Sequence, residues 1–261
     1  MTNLLAEELT IAYDNEIIVD RLNLKFSPGE ITAIIGPNGC GKSTILKTMA
    51  RLQPSQSGAV YLDGKLIHKT PSKEIAKKMA ILPQSPESPD GLSIYQLISY
   101  GRTPYQSGFS RLTTHDCEMI DWALSVTGLS SIQHQPVDTL SGGQRQRAWI
   151  AMAIAQETNL LMLDEPTTYL DPAHQLEVLQ LLAELNEEEG RTIVMVIHDL
   201  NHAARFADHL VALKEGKVIK EGTAEQVMNA EVLKQVFNID TEIMTDPRTG
   251  KPAMISYDLI K

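Results

Sequence analysis

The chain has 261 residues, enough for one large domain or two small ones, and 43% of them are hydrophobic, enough to fill a sizeable core. Its formal charge of −10 argues against a protein that coats nucleic acid by neutralising phosphates, so no nucleic-acid partner is expected. Apolar runs such as Leu160–Leu163 and Ile193–Ile197 fall far short of the about 20 residues that span a bilayer. Met1–Asp14 carries Glu7 and Glu8 and lacks the basic-then-apolar layout of a signal peptide. Two cysteines, Cys40 and Cys117, form no disulfide framework and suit a reducing cytosol.

Along the chain, Ile17, Ile18 and Val19, then Leu22, Leu24 and Phe26 in alternation, predict strands that close in a turn at Pro28-Gly29. The buried-strand pattern Ile31–Ile35 runs into Gly36-Pro37-Asn38-Gly39-Cys40-Gly41-Lys42-Ser43, a G-x-x-x-x-G-K-S turn, with a helix predicted over Thr44–Leu52. Glycines there let backbone N–H groups curl around a phosphate chain. Lys42 supplies a point charge, Ser43 a hydroxyl for Mg²⁺, and the helix start its positive end. A nucleoside triphosphate is the expected ligand. Cys40, beside Lys42 and the helix start, is expected to have a lowered thiol pKa, so that a maleimide inactivates the protein and nucleotide protects it.

Further on, Ala59–Ile67 reads as a hairpin around Asp63-Gly64. The stretch Ser85–Val137 is broken by Pro86, Pro89 and Pro104. It then carries a helical pattern at Met119, Ile120, Ala123 and Leu124, with Thr113 and Asp116 placed as a cap. It is expected to be a helical insertion in an α/β core. Leu140-Ser141-Gly142-Gly143-Gln144 opens a helix whose uncovered N–H groups offer a second anion site. Leu160–Leu163 ends at Asp164-Glu165, and Thr192–Ile197 ends at His198. Both read as central parallel strands, whose carboxyl ends form a ligand-binding edge, so Gly36, Asp164 and His198 are expected to converge. Asp171-Pro172 starts a helix with Leu176, Leu179 and Leu182 on one face. Lys214–Lys217 is a hairpin turn, followed by a short helix and a small tail.

The phosphate loop, the Leu-Ser-Gly-Gly-Gln run and the apolar strand ending in Asp164-Glu165 together resemble the ATP-binding cassette ATPases over almost the whole chain. The resemblance implies an α/β fold: a P-loop NTPase (RecA-like) core with a small antiparallel β region and an inserted helical subdomain. It implies one cassette domain over 1–261, with the core at about 1–85 and 137–235, the helical subdomain at about 86–136 and a C-terminal extension at about 236–261. ATP and Mg²⁺ are the implied cofactors. Gly36, Pro37, Asn38, Gly39, Cys40, Gly41, Lys42, Ser43 and Thr44 would hold the phosphates, and Tyr13 would stack on adenine. Asp164, Ser43 and Gln84 would hold the metal, Glu165 would polarise the attacking water, and His198 would contact the γ-phosphate. Ser141, Gly142, Gly143 and Gln144 would reach ATP on the opposite subunit of a homodimer formed on ATP binding, and Asp171 would cross the dimer seam.

Tyr169 and Arg147–Ala153 with its Trp149 depart from the general cassette pattern, and Tyr100-Gly101-Arg102 and the Val196–Arg205 run stand beside them as markers. They resemble the importers of ferric siderophores, haem and vitamin B12, most strongly the siderophore group. That implies an ATPase at the cytoplasmic face of a bacterial membrane. It would dock its helical subdomain on a separate integral-membrane permease and serve an extracellular substrate-binding protein indirectly. Haem or vitamin B12 import, a non-transport cassette of the Fe–S assembly type, and a non-hydrolysing nucleotide sensor are the alternatives. On residue chemistry alone, His198 and His202 could be half a zinc site, and Tyr13 a half-buried strand tyrosine.

Overall fold

The computed structural model describes residues 2–14, 16–86, 89–106 and 111–260; residues 87, 88 and 107–110 of the expected helical insertion lie outside the described residues. The chain divides into two compact units, Met1–Lys69 with Thr192–Lys261, and Thr70–Arg191.

The first unit opens with strands β1 (Leu4–Tyr13), β2 (Glu16–Phe26) and β3 (Ile31–Ile35), then helix α1 (Lys42–Met49), β4 (Ser57–Leu62) and β5 (Lys65–Leu66). An antiparallel sheet in the order β2-β1-β4-β5 forms the small β region. β1 was not anticipated, because its inward residues break strict alternation: Leu4 and Ala6 are buried, then Leu9 and Ile11. A register shift between Ala6 and Leu9, with Glu8 at φ +47°, resets the parity and keeps all four on one face. Arg21, at φ +46°, does the same in β2 between buried Val19 and Leu22. Helix α1 starts two residues before the expected Thr44 and ends before Leu52. Gly41 caps it directly from the glycine turn, and Arg51 at φ +60° stops it.

The second unit contains α2 (Ser72–Ala76), β6 (Met79–Leu82), α3 (Ile94–Ser99), a 3-10 turn over Tyr100–Tyr105, α4 (Thr114–Val126), α5 (Gly142–Ala155), β7 (Leu160–Asp164) and α6 (Pro172–Glu189). β6 and β7 pair in parallel, Leu82 opposite Leu163. Local chemistry sets the helix starts. Ser93, Thr113 and Ser141 each form a capping box with the residue three positions on, and Asp171 caps α6 with Pro172 at its first turn. Gly190, at φ +66°, ends α6. α3, α4 and α5 pack on one another through Ile94, Leu97 and Ile98, Ile120 and Leu124, and the alanine-rich face of α5.

The chain returns to the first unit as β8 (Thr192–Val196), α7 (Leu200–Phe206), β9 (His209–Lys214), β10 (Lys217–Gly222), α8 (Ala224–Val227), α9 (Ala230–Phe237), β11 (Ile239–Thr245) and β12 (Pro252–Leu259). There the order is β10-β9-β3-β8, with β9, β3 and β8 parallel. Every residue of β3 and β8 is buried, as expected of strands covered on both faces. The tail forms two paired strands. β11 and β12 form a hairpin pinned by Asn201, whose side chain bonds both the N–H (2.8 Å) and the carbonyl (3.0 Å) of Met254. Among the described residues, no helix is long and apolar enough to cross a membrane.

Candidate functional site

In the first unit, β3 and β8 run parallel with Ile34 opposite Val196, so Gly36 and His198 leave the sheet at the same edge. Gly36 must be glycine: a Cβ there would collide with the Leu213 carbonyl and lie 2.8 Å from Cys40 Sγ. Gly41, at φ +101°, turns the chain into α1. Lys42 is buried, and its Nζ donates to the carbonyls of Gly36 and Pro37, both at 2.9 Å. The loop thus orients its own ammonium, and one of that group's three donors remains beyond these two bonds. Asn38 and Gly39 form an exposed crown. Exposed backbone N–H groups, a helix start and a fixed ammonium are what a polyphosphate needs. His198 is exposed. Tyr13 closes β1, 49% exposed, with its hydroxyl donating to Gln53 Oε1 at 2.6 Å.

In the second unit, the parallel pairing of β6 and β7 brings Gln84 and Asp164-Glu165 to one edge. Asp164 is 1% exposed at the end of β7. Glu165 turns off the strand at φ +55°, a conformation costing about 1 kcal/mol for a residue with a Cβ. Two donors hold its Oε2 there: Gln84 Nε2 at 2.6 Å and Thr168 Oγ1 at 2.9 Å. This half-exposed, oriented carboxylate can polarise a water.

The same unit carries the signature run. Ser141 Oγ accepts the Gln144 N–H (3.3 Å), and Gln144 Oε1 accepts the Ser141 N–H (3.1 Å). Both side chains of the expected γ-phosphate set are thus engaged in capping α5, while Gly142 is exposed and Gly143 is buried. Asp171 Oδ1 accepts the His174 N–H at 3.0 Å, and Oδ2 the His174 Nδ1 at 2.7 Å. The main-chain bond first and the imidazole bond second hold the Asp171 carboxyl below the usual carboxylate range. Tyr169 stands 89% exposed at φ +65°.

One expectation is corrected. Cys40 is buried, and burial pushes its thiol pKa up; the charge of Lys42 and nearby main-chain bonds pull the other way without prevailing. It is not an activated thiol. Among the described residues no group of three or more His, Cys, Asp and Glu side chains could hold a metal ion, so none there completes the zinc alternative. The main-chain N–H of His202 donates to the helix cap Asp199 Oδ1 at 2.8 Å. Two residues escaped the sequence reading, Thr168 and His174. Each lies three positions from a recognised carboxylate, but which side-chain atom returns to that carboxylate is a matter of rotamer.

Similarity to known proteins agrees with this geometry. The profile of the family described as ABC transporter matches residues 19–168. The chain is 63% identical to the iron(3+)-hydroxamate import ATP-binding protein FhuC of Bacillus subtilis (strain 168), over 100% of this chain and 97% of that protein. A metal-chelate type ABC transporter solved in an inward-facing conformation superposes with a TM-score of 0.84 at 28% identity, covering 97% of this chain and 96% of that one. A dimeric ATP-binding cassette in a post-hydrolysis state, bound to ADP and Pi, gives 0.74 at 30% identity, covering 84% and 98%. The chain belongs to the ABC transporter family, as one of its ATPases.

Proposed function

We propose that this ATPase energises import of an iron(III)–siderophore chelate through a separate membrane permease. One observation carries the cargo reading: the full-length 63% identity with an iron(3+)-hydroxamate import protein. In this reading the loop Gly36–Thr44 wraps the phosphates of ATP. Lys42 and the loop N–H groups stabilise charge on the transferring phosphoryl group, and Tyr13 stacks on the adenine. Ser43, Asp164 and Gln84 all offer oxygen, the donor that Mg²⁺ prefers; they would hold the metal, whose charge would offset that of the phosphates. Glu165 accepts from the attacking water, and His198 meets the γ-phosphate.

Ser141–Gln144 and Asp171 serve the ATP of a second copy, so turnover requires a closed homodimer. Closure is transmitted through Gln84. It is bonded to Glu165 on one side and followed in sequence by the helices at about 86–136, which dock on the permease. The chain then sits peripherally at the cytoplasmic membrane face, and the substrate-binding protein acts through the permease.

The test compares wild type with Glu165→Gln for ATP turnover, for mass by size exclusion, and for uptake of a radiolabelled ferric hydroxamate in cells. Wild type should turn over ATP. The variant should lose at least about a hundredfold in kcat, run as a dimer only with ATP, and abolish uptake. Loss of haem or cobalamin uptake with ferric hydroxamate uptake intact would reassign the cargo. Turnover by the variant at the wild-type rate would remove Glu165 from its role.

A further inference from the structure

His174, three residues into α6, is joined to two loops at once. Its main chain and its imidazole Nδ1 both bond the Asp171 carboxylate, at 3.0 and 2.7 Å. Because a carboxylate only accepts, Nδ1 carries the proton, and each oxygen of Asp171 accepts a bond from this residue. The ring lies directly against the signature glycine. A Cβ on Gly143 would fall 2.5 Å from His174 Cδ2, 2.8 Å from Cγ and 3.2 Å from Nε2. Gly143 is therefore glycine because the imidazole occupies the space of a side chain. Beside it, a Cβ on Gly142 would sit 3.8 Å from the Tyr169 carbonyl oxygen and 3.9 Å from Leu170 Cδ2. One helical turn further on, Arg147 of α5 and Glu177 of α6 form an ion pair at 2.7 Å. The starts of the two helices thus meet on two successive turns, with the imidazole as the spacer at the first.

We infer that His174 is a positioning residue for ATP hydrolysis: clamped by Asp171 and packed on Gly143, it makes the signature run and the loop Thr168–Asp171 one rigid surface for the second copy. The inference rests on the proposed reading that these two loops complete the partner's ATP site. Without the ring, Asp171 loses the donor to Oδ2, a gap opens over Gly143, and the two loops move independently. A displacement on the order of 1 Å at such a surface costs turnover rather than nucleotide affinity, because the chain's own phosphate loop is untouched.

The experiment compares wild type with His174→Ala, His174→Asn and His174→Gln. It measures kcat and KM for ATP hydrolysis, ATP affinity of the chain, and ATP-dependent dimer formation in the Glu165→Gln background. His174→Ala should lower kcat about tenfold and weaken the dimer, with ATP affinity within about twofold of wild type. Asn puts an amide N–H where Nδ1 stood and should recover kcat to within about threefold; Gln puts it where Nε2 stood and should not. Full activity of His174→Ala, or equal failure of Asn and Gln, would overturn the inference. Melting midpoints identify a variant that does not fold, and if Ala is that variant, the Asn and Gln pair decides. A wild type that binds ATP but neither turns it over nor dimerises overturns the underlying reading, a result distinct from active wild type with indifferent variants.

Discussion

A thiol reacts through its thiolate, and at Cys40 two effects oppose one another. Lys42 and the main-chain N–H groups at the start of α1 favour the anion; burial favours the neutral form and is the larger. A raised pKa means that the thiolate is scarce at neutral pH and grows only as pH rises. Maleimide at pH 7 should therefore label half-exposed Cys117 before Cys40, with or without ATP. Peptide mass mapping checks this, and fast ATP-sensitive labelling of Cys40 would refute it. The same loop shows where residue-level reasoning succeeds. G-x-x-x-x-G-K-S is legible because its glycines answer to backbone φ and close approach, both properties of neighbouring residues. Thiol reactivity depends on the surrounding dielectric, which neighbours in sequence do not set.

Elements in the second unit are joined by Arg102, which the sequence marks only as part of Tyr100-Gly101-Arg102. The side chain is 1% exposed. Its Nε donates to Asp116 Oδ1 at 2.8 Å, and its Nη1 to the Ala155 carbonyl at 2.8 Å and Glu157 Oε2 at 3.1 Å. Its guanidinium lies 4.1 Å from the centre of the Tyr105 ring. The 3-10 turn, the start of α4 and the end of α5 therefore meet at one cation, and Gly101 has no side chain because the Met152 carbonyl occupies that space. Burial alone would raise the pKa of Asp116, but bonds from Thr113 and Arg102 outweigh it and hold the carboxyl below its usual range; in Glu157 the bonds of His115 and Arg102 likewise outweigh burial. Carboxylates depressed in the folded state stabilise it above their unfolded pKa of about 4, and that contribution is lost as pH falls through the lower folded values. Arg102→Met should cost about 3 kcal/mol at pH 7, because it leaves a buried carboxylate unpaired. The difference from wild type should shrink in urea unfolding below about pH 4. An equal difference at both pH values would show that packing, not charge, is lost.

At the scale of the whole molecule, Tyr169 is the outlier: a large side chain 89% exposed, held at φ +65° on the loop beside the signature glycines. An aromatic so placed gains most from burial against a partner. On the homodimer reading, Tyr169→Ala in the Glu165→Gln background should weaken the ATP-dependent dimer by about 1–2 kcal/mol. The melting midpoint of the monomer should be unchanged. Sedimentation at graded ATP reads this directly, and an unaltered dimer would place Tyr169 outside the interface. Much about this protein was determined by sequence alone. Spacing and pattern are enough for the phosphate loop, the buried strands ending in Asp164-Glu165 and His198, and the capped helices at Thr113, Ser141 and Asp171, because each rests on backbone dihedrals, hydrogen-bond caps or periodicity within a few residues. The β1 bulge at Glu8, the ordered hairpin β11–β12, the burial of Cys40, the meeting at Arg102 and the imidazole wedge over Gly143 were decided by tertiary structure. Each depends on which distant atoms fill a given space, and that is settled only when the chain has packed.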